Sequence, residues 1–267
     1  MDIDTYYTDH WKHIEEERIA RYERMFEWRD GQAALLAPAA IEAGHRVLDF
    51  GSGPGFMALA IADIVGESGR VHGVDINARF VADATRRAEG RAHVSFHHVT
   101  GAGLPLPDAA VDRVVCKNVL EYVPDLDTTL AELRRVLAPE GRIHIMDSDW
   151  GFVVVEPWGK ENVDRYFAAA SVAFREPHIG RKAQGLLAKH GFDDIEVRIQ
   201  AFADTQGRSL PVIRNMRTYI DAALEAGGET GLSSDEADAL LAQAERAVAE
   251  GTFLFSLPQF LVTGTKP

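Results

Sequence analysis

Short apolar runs alternate with longer amphipathic stretches through most of the chain. Runs rich in β-branched residues predict strands at Arg46–Phe50, Arg70–Asp75, Val94–His98, 112–118 and 142–147. Helical spacing of apolar residues predicts helices that begin near Phe56, Ala78, Leu126 and Lys182. Strands that alternate with helices are typical of a parallel sheet covered on both faces. The pattern therefore predicts a doubly wound α/β fold.

The end of the chain adds two more predicted strands, at residues 191–202 and 251–267, the second of them long and aromatic. Between them, residues 204–250 predict a helical insertion, because "LSSDEADALLAQAERAVAE" combines a serine cap, early acids and helical apolar spacing. Residues 1–30 place their apolar side chains on one side of a helix. We expect one domain, with 1–30 as a helical lid, 31–203 as the core, 204–250 as the insertion and 251–267 as the terminal strand.

Composition narrows the classes of partner. The chain has 267 residues, 46% of them hydrophobic, a formal charge of −13 and one cysteine. A single cysteine excludes an intramolecular disulfide framework, and the acidic charge disfavours nucleic acid and anionic membrane surfaces. No stretch has the ~20 apolar residues of a membrane span, and "MDIDTYYTDHWKH" lacks the features of a secretory signal. We therefore expect a cytoplasmic protein with a small-molecule substrate, and the sequence leaves the oligomeric state open.

The stretch "VLDFGSGPGF" follows the first strand with three glycines in five positions. Gly51, Gly53 and Gly55 read G-x-G-x-G, whereas a dinucleotide loop reads G-x-G-x-x-G. Asp75 ends the next strand, where a carboxylate can accept hydrogen bonds from both hydroxyls of a ribose. The two features favour a nucleoside without phosphates, and an NAD-dependent oxidoreductase is the less favoured alternative.

Four motifs in order resemble the class I S-adenosylmethionine-dependent methyltransferases: "VLDFGSGPG", "VHGVDIN", "LPLPDAAVDRVVCKNVLEYVPD" and "LRRVLAPEGRIHIMD". The likeness covers roughly residues 44–147 and the terminal strand. Within the family, the chain resembles the small-molecule branch that includes ubiquinone and menaquinone biosynthesis methyltransferases. It implies a Rossmann-like seven-stranded sheet of order 3-2-1-4-5-7-6 with strand 7 antiparallel. It also implies methyl transfer to a small organic acceptor by in-line displacement, with S-adenosylhomocysteine as product. The alternative is a protein of this fold that binds the cofactor for a rearrangement without methyl loss, or only binds it.

The resemblance also implies roles for individual residues toward the cofactor. Asp49 orients the methionyl ammonium directly or through water, Asp75 holds the ribose, and Ile76 lies on the adenine face. The loop that wraps the methionyl group consists of Gly51, Ser52, Gly53 and Gly55. Asn118 and Val119 lie beneath the sulfonium, and the N-terminal helix contributes Tyr7.

Adenine recognition departs from the family pattern. The family usually has an aspartate before the "LP" of the loop after strand three, whereas this chain has "VTGAGLP". Thr100 stands in the place of the aspartate. The candidates for the hydrogen bond to adenine are therefore Thr100 and the backbone of Gly101 and Ala102.

Three clusters supply candidate catalytic residues: "YYTDHWKH" with His10, "NVLEYV" with Glu121, and "MDSDWG" with Asp149. His10 is the favoured base because imidazole titrates near neutrality, with a structural histidine as the alternative. Glu121 is a candidate catalytic group or a solvated residue at a helix start. Asp149 is a substrate contact or a cap for the chain that leaves strand five. Asp147 and Asp149 are too few ligands to predict a divalent ion, and we expect no metal.

Overall fold

The computed structural model has two β-sheets. The structure describes residues 4–12, 14, 19, 22, 23, 27–101 and 103–267. In chain order the strands are β1 Arg46–Phe50, β2 Arg70–Asp75, β3 Val94–His98, β4 Val111–Lys117, β5 Leu137–Ser148, β6 Val154–Glu156, β7 Asp193–Gln200, β8 Leu254–Ser256 and β9 Gln259–Thr265. The central sheet has the order β3-β2-β1-β4-β5-β9-β7, and β9 runs antiparallel to both neighbours. Because β7 and β9 are its sixth and seventh strands, the predicted strand order is confirmed.

Helices flank this sheet and cover one end of it. In the stretches of chain that the structure describes without gaps, the α-helices are α1 Tyr6–Lys12, α2 Ala33–Leu36, α3 Phe56–Val65, α4 Ala78–Arg87, α5 Leu126–Val136, α6 Gly159–Ala169, α7 Ile179–Lys189, α8 Leu210–Glu225 and α9 Ser234–Glu250. Local sequence explains several starts: Asn77 Oδ1 accepts from the amides of Arg79 and Phe80 at the start of α4. Ser233 and Glu236 form a capping box at the start of α9.

The middle strands of the central sheet are buried on both faces, whereas the edge strand β7 is mostly exposed. Leu48, Val114 and Ile143 belong to a cluster that packs against α5 and α7. Val47 and Val115, which alternate with them along the strands, belong to a second cluster that packs against α3. Side chains at the carboxyl ends of β1, β4 and β5 are therefore held by a rigid, close-packed layer.

A third hydrophobic cluster lies apart from the sheet and joins residues 153–174 to residues 210–257, which we call the cap. Trp158 and Tyr166 from the first segment pack with Tyr219 and Phe255 from the second. Helices α8 and α9 lie where helical insertion was predicted. The sequence pattern placed residues 153–174 in the core domain. In the structure, the apolar side chains of this segment pack against α8 and α9 instead.

The expectation of a single long strand over residues 251–267 is wrong. This stretch forms β8, which pairs with β6 in a separate two-stranded sheet, and β9, which pairs with β5 and β7. Pro258 lies between the two strands, and proline has a fixed φ and no N–H for a β-ladder. The break lets one segment contribute to both the cap and the central sheet.

None of the helices in the described part of the chain combines the length and the apolar character needed to cross a bilayer.

Candidate active site

A cavity of about 410 Å³ opens at the carboxyl edge of the central sheet. Parallel α/β sheets bind ligands at this edge because the loops after the strands converge there. One wall consists of the glycine loop after β1 and the ends of β2 and β4. The opposite wall comes from the cap and is mainly apolar, with Val212, Met216, Tyr219, Phe255 and Leu257. The cavity therefore has a loop-lined half and an apolar half.

The glycine loop adopts a backbone that few other residues could follow. Gly51, Gly53 and Gly55 have φ values of +76°, +50° and +87°. Gly51 and Gly53 line the cavity, and the Gly53 N–H donates to Asp75 Oδ2 over 2.7 Å. Gly55 lies outside the lining, where a Cβ would collide with Ala84 and Phe96. Gly55 therefore serves packing, while the other two glycines shape the cavity wall.

Asp75 lies at the end of β2 and lines the cavity. Its Oδ1 accepts from the Asn77 amide over 2.8 Å. Burial raises the pKa of Asp75, although the hydrogen bonds from Asn77 and Gly53 oppose this shift. The two amides hold the carboxylate in one orientation, with the cavity on its open side.

The residues expected around adenine have different positions. Ile76 and Gly101 line the cavity. Thr100 is exposed and does not belong to the lining. Ala102 lies outside the described residues. Among these four, the structure brings Ile76 and Gly101 to the cavity wall.

Asp49 is completely buried beneath the glycine loop and does not itself line the cavity. Neither of its carboxylate oxygens has a hydrogen-bond partner within the described chain, and the same holds for Ser52 Oγ and Asn118 Oδ1. Burial, followed by the charge of Asp75, raises the pKa of Asp49 to about 8. Buried polar groups normally have partners, so these atoms fit a polar ligand or ordered water beside the loop.

The turn after β4 is fixed by Asp147 at the end of β5. Asp147 Oδ2 accepts from the amides of Val119 and Leu120 over 3.3 and 3.1 Å. Asn118 adopts a left-handed conformation with φ +52°, and both Asn118 and Val119 line the cavity. Burial raises the pKa of Asp147 to about 7. The Asp147 carboxyl group therefore uses its hydrogen bonds to orient the backbone of this turn.

Glu121 lines the cavity and is only 2% exposed, so the alternative of a solvated helix-start residue is wrong. Its Oε2 accepts from Trp150 Nε1 over 2.7 Å. Burial, followed by the charge of Asp147, raises the pKa of Glu121 well above its usual range. These surroundings favour the neutral form of the Glu121 carboxyl group, and the charge of Lys117 opposes this shift.

Asp149 points away from the cavity and forms an ion pair with Arg181, whose Nη2 lies 2.7 Å from Oδ1. It also accepts from His178 Nδ1 and from the Gly151 amide, each over 3.0 Å. Burial alone would raise the pKa of Asp149, but the hydrogen bonds from Arg181 and His178 lower it. The structure gives Asp149 the capping role. In the described part of the chain, no three histidine, cysteine or acidic side chains cluster as metal ligands would.

His10 and Tyr7 lie on α1 but do not line the cavity. His10 is 5% exposed, and its Nδ1 donates to the Tyr6 carbonyl oxygen over 2.6 Å. The Arg175 guanidinium lies 5.8 Å from the centre of the Tyr7 ring. Among the described residues of the predicted lid, those that line the cavity are Thr8, Trp11, Tyr22 and Trp28.

Sequence reasoning missed Lys117 and Gln259, which both line the cavity. A lysine at the end of an otherwise apolar strand, in "VDRVVCKN", was the available signal for Lys117. Gln259 begins β9, and because β9 is antiparallel its first residue reaches the same edge as the last residues of β5. The polar residues Ser209, just before α8, and Asn215, within α8, had no comparable signal, because their position depends on how the cap packs.

Comparisons with known proteins agree with this architecture. Residues 48–145 match the model of a methyltransferase domain. The chain is 30% identical over 238 residues to the methyltransferase GfsG of Streptomyces halstedii. The matched region covers 85% of this chain and 76% of that protein. It is 28% identical over 130 residues to demethylmenaquinone methyltransferase of Bacillus licheniformis, over 49% of this chain and 55% of that protein. The chain thus spans about half the length of this second relative.

A solved structure extends the likeness over the whole chain. Phosphoethanolamine N-methyltransferase 2 of Haemonchus contortus, solved with phosphomonomethylethanolamine and S-adenosylhomocysteine, superposes with a TM-score of 0.64 at 20% identity. The superposition covers 100% of this chain and 60% of that chain. At this identity the superposition supports the fold.

Proposed function

The chain belongs to the class I S-adenosylmethionine-dependent methyltransferases, and we propose that it transfers a methyl group from this cofactor to a small, largely apolar organic acceptor. The observation that carries the proposal is the continuity of one cavity, which runs from the glycine loop and Asp75 to the apolar wall of the cap. A cofactor bound along the loop would share this cavity with an acceptor bound under the cap.

The loop-lined half has the groups that the cofactor requires. We assign the methionyl group to the loop of Gly51, Ser52 and Gly53, with Asp49 acting on its ammonium directly or through water. Asp75 would accept from the ribose hydroxyls, since one side of its carboxylate faces the cavity. The unpartnered Ser52 Oγ and Asp49 oxygens fit a ligand with several polar groups. We assign adenine to Ile76 and Gly101.

The apolar half favours an acceptor with a large hydrophobic surface. Its described walls are mainly aromatic and aliphatic, with Tyr122, Trp150, Met216, Phe255 and Leu257. Polar groups are few there, and include Asn215 and Ser209. Such a pocket binds through buried apolar area and orients its ligand through a small number of polar contacts.

The cofactor supplies an activated methyl group, so the protein mainly aligns the acceptor and excludes water. Asn118 and Val119 form the cavity floor after β4 and would position the acceptor. We propose Glu121 as the group that receives the proton of the acceptor. A cationic sulfonium nearby would favour its carboxylate form, which can accept a proton. His10 is the weaker candidate because it does not line the cavity.

The test combines binding and turnover. At a hundredfold excess over Kd, S-adenosylhomocysteine should raise the free energy of unfolding by about 2.7 kcal/mol. It should therefore raise the melting temperature, whereas NAD should not. Incubation with methyl-labelled cofactor and a panel of apolar hydroxylated acceptors should yield S-adenosylhomocysteine and a labelled product in equal amounts. An acceptor that is consumed without label transfer would favour the rearrangement alternative, and stabilisation by NAD alone would favour an oxidoreductase.

A further inference from the structure

Lys117 is a half-buried cation that the site described so far does not use. It is the last residue of β4 and the one lysine or arginine among the described residues that line the cavity. Burial lowers the pKa of its ammonium, against the opposing charges of Asp147, Glu121 and Asp49. Within the described chain its ammonium has no ion pair within 4 Å and no hydrogen bond. A half-buried cation without such a partner loses part of its hydration, so an anionic group of a ligand would complement it.

The nearby acids differ in whether the chain already uses them. Asp147 accepts from the amides of Val119 and Leu120, and Glu121 accepts from the Trp150 indole. Neither Asp49 oxygen has a well-aligned hydrogen bond within the described chain, although the Ala58 amide and the charge of Lys117 act to lower the pKa of Asp49. Lys117 and Asp49 are therefore the two ionisable side chains here that charged groups of a ligand could engage.

The sheet places these two side chains on the same face. Asp49 on β1 pairs with Val115 on β4, and Lys117 lies two residues beyond Val115. Since strand side chains alternate with a period of two, Lys117 projects on the same face as Asp49, about 7 Å nearer the carboxyl edge. The glycine loop begins at Gly51, directly after β1, so an acid and a cation flank the same end of the cavity.

We propose that Lys117 binds the α-carboxylate of S-adenosylmethionine, while Asp49 acts on the α-ammonium of the same amino-acid group. The cofactor has one carboxylate, and the described cavity wall offers one cation to meet it. This assignment rests on the proposed function and adds a residue that determines specificity for the complete amino-acid end of the cofactor.

Three ligands test the assignment by calorimetry. S-adenosylhomocysteine has both charges, its decarboxylated analogue keeps only the ammonium, and 5′-methylthioadenosine lacks the amino-acid group. Lys117→Met should weaken S-adenosylhomocysteine about 10- to 100-fold and leave the other two ligands within about twofold. Lys117→Arg should restore most of the lost affinity. Unchanged binding of 5′-methylthioadenosine shows at the same time that the variant is folded.

Asp49→Asn is the matched control, and it should weaken both ligands that carry an ammonium but not 5′-methylthioadenosine. The assignment is overturned if Lys117→Met binds S-adenosylhomocysteine as the wild type does. This holds also if the variant shows a higher KM for the acceptor, since Lys117 would then act on the acceptor and not on the cofactor. It is also overturned if the variant loses the decarboxylated analogue equally, or if the wild type does not prefer S-adenosylhomocysteine to that analogue. A wild-type protein that binds none of the three ligands contradicts the proposed function itself.

Discussion

The Gly53 amide lies 2.7 Å from Asp75 Oδ2, and this hydrogen bond ties the glycine loop after β1 to the end of β2. Both residues line the cavity, so the loop and the carboxylate form one rigid unit. The backbone that makes this contact has φ +50° at Gly53, in the left-handed region. The geometry of the cavity wall therefore depends on a residue without a side chain and on an acid that accepts from its backbone.

Gly53→Val should abolish cofactor binding. A β-branched side chain resists positive φ, and its methyl groups would occupy open space beside the loop, where Gly53 has no neighbour within 4 Å. Gly90→Val is the matched control, because Gly90 has φ +85° and the same open surroundings but lies outside the cavity lining. The control should lose about 1–3 kcal/mol of stability yet bind S-adenosylhomocysteine normally. Normal binding by Gly53→Val would show that the loop does not contact the cofactor.

Asp75→Asn should reduce affinity for S-adenosylhomocysteine by about 10- to 100-fold, since charge-assisted hydrogen bonds contribute about 1.5–3 kcal/mol. A 2′-deoxyribose analogue of the ligand provides the control. The wild type should discriminate against this analogue, and the variant should discriminate less because the carboxylate that reads the hydroxyl is gone. Equal discrimination by both proteins would contradict the ribose assignment.

Secondary structure in the sheet was predictable because its strands and helices are set by local patterns. Strands β1, β2 and β3 begin and end where the sequence predicts them. The cap was not predictable to the same degree. Helix α6 and strand β6 bury their apolar residues against α8, α9 and β8, which are distant in sequence, so no local pattern shows where this segment packs.

Binding by Asp49 should depend on pH. The pKa of Asp49 is raised to about 8, so below that pH its carboxyl group is protonated in the free protein. A ligand ammonium favours the carboxylate, and binding therefore releases a proton. Between pH 6 and 8, affinity for S-adenosylhomocysteine should rise with pH, by at most about tenfold per unit. Calorimetry in two buffers of different ionisation enthalpy measures the proton release, which should vanish in Asp49→Asn and with 5′-methylthioadenosine. Proton release that persists in Asp49→Asn would assign the titration to another group.

Glu121→Gln should lower kcat by about 10²- to 10⁴-fold, the usual contribution of a general base, with little effect on cofactor affinity. The amide keeps the size of the side chain and an oxygen for Trp150 Nε1, but it cannot receive a proton as a carboxylate can. His10→Phe is the comparison, since it keeps an aromatic ring next to Tyr6 and Tyr219. If His10→Phe loses kcat and Glu121→Gln does not, the base is His10.

The sequence located the loop residues of the site better than the residues on its other walls. Gly51, Gly53 and Asp75 follow strands directly, so the strand pattern fixes their place. For α1 the resemblance named Tyr7, whereas Trp11 lines the cavity, because the direction of the helix relative to the sheet decides which residues face inward. Lys117 was not predicted because the family motif assigns a role to the next residue, Asn118, and none to the residue before it.

Helix α1 connects the two halves of the cavity. The Trp11 carbonyl oxygen accepts from Asn77 Nδ2 over 2.7 Å. Asn77 lies two residues after Asp75 in the sequence. On the other side, the His10 ring lies 5.2 Å from that of Tyr219 in α8. We therefore expect α1 and the cap to act together as a lid that excludes water during methyl transfer and opens for product release. S-adenosylhomocysteine should then slow hydrogen exchange in α1 and α8.

Asn77→Asp tests this lid at one hydrogen bond. The carboxylate can still accept from the amides of Arg79 and Phe80 and cap α4, but it cannot donate to Trp11 and it repels that carbonyl oxygen. Losing about 0.5–1.5 kcal/mol at this contact should speed exchange in α1 by up to about tenfold and weaken S-adenosylhomocysteine similarly, while exchange in α9 stays unchanged. Asn77→Ser, which also caps but adds no charge, separates the lost donor from the repulsion. If exchange in α1 and α8 ignores the ligand in the wild type, these helices are fixed packing elements, and the acceptor must enter without their movement.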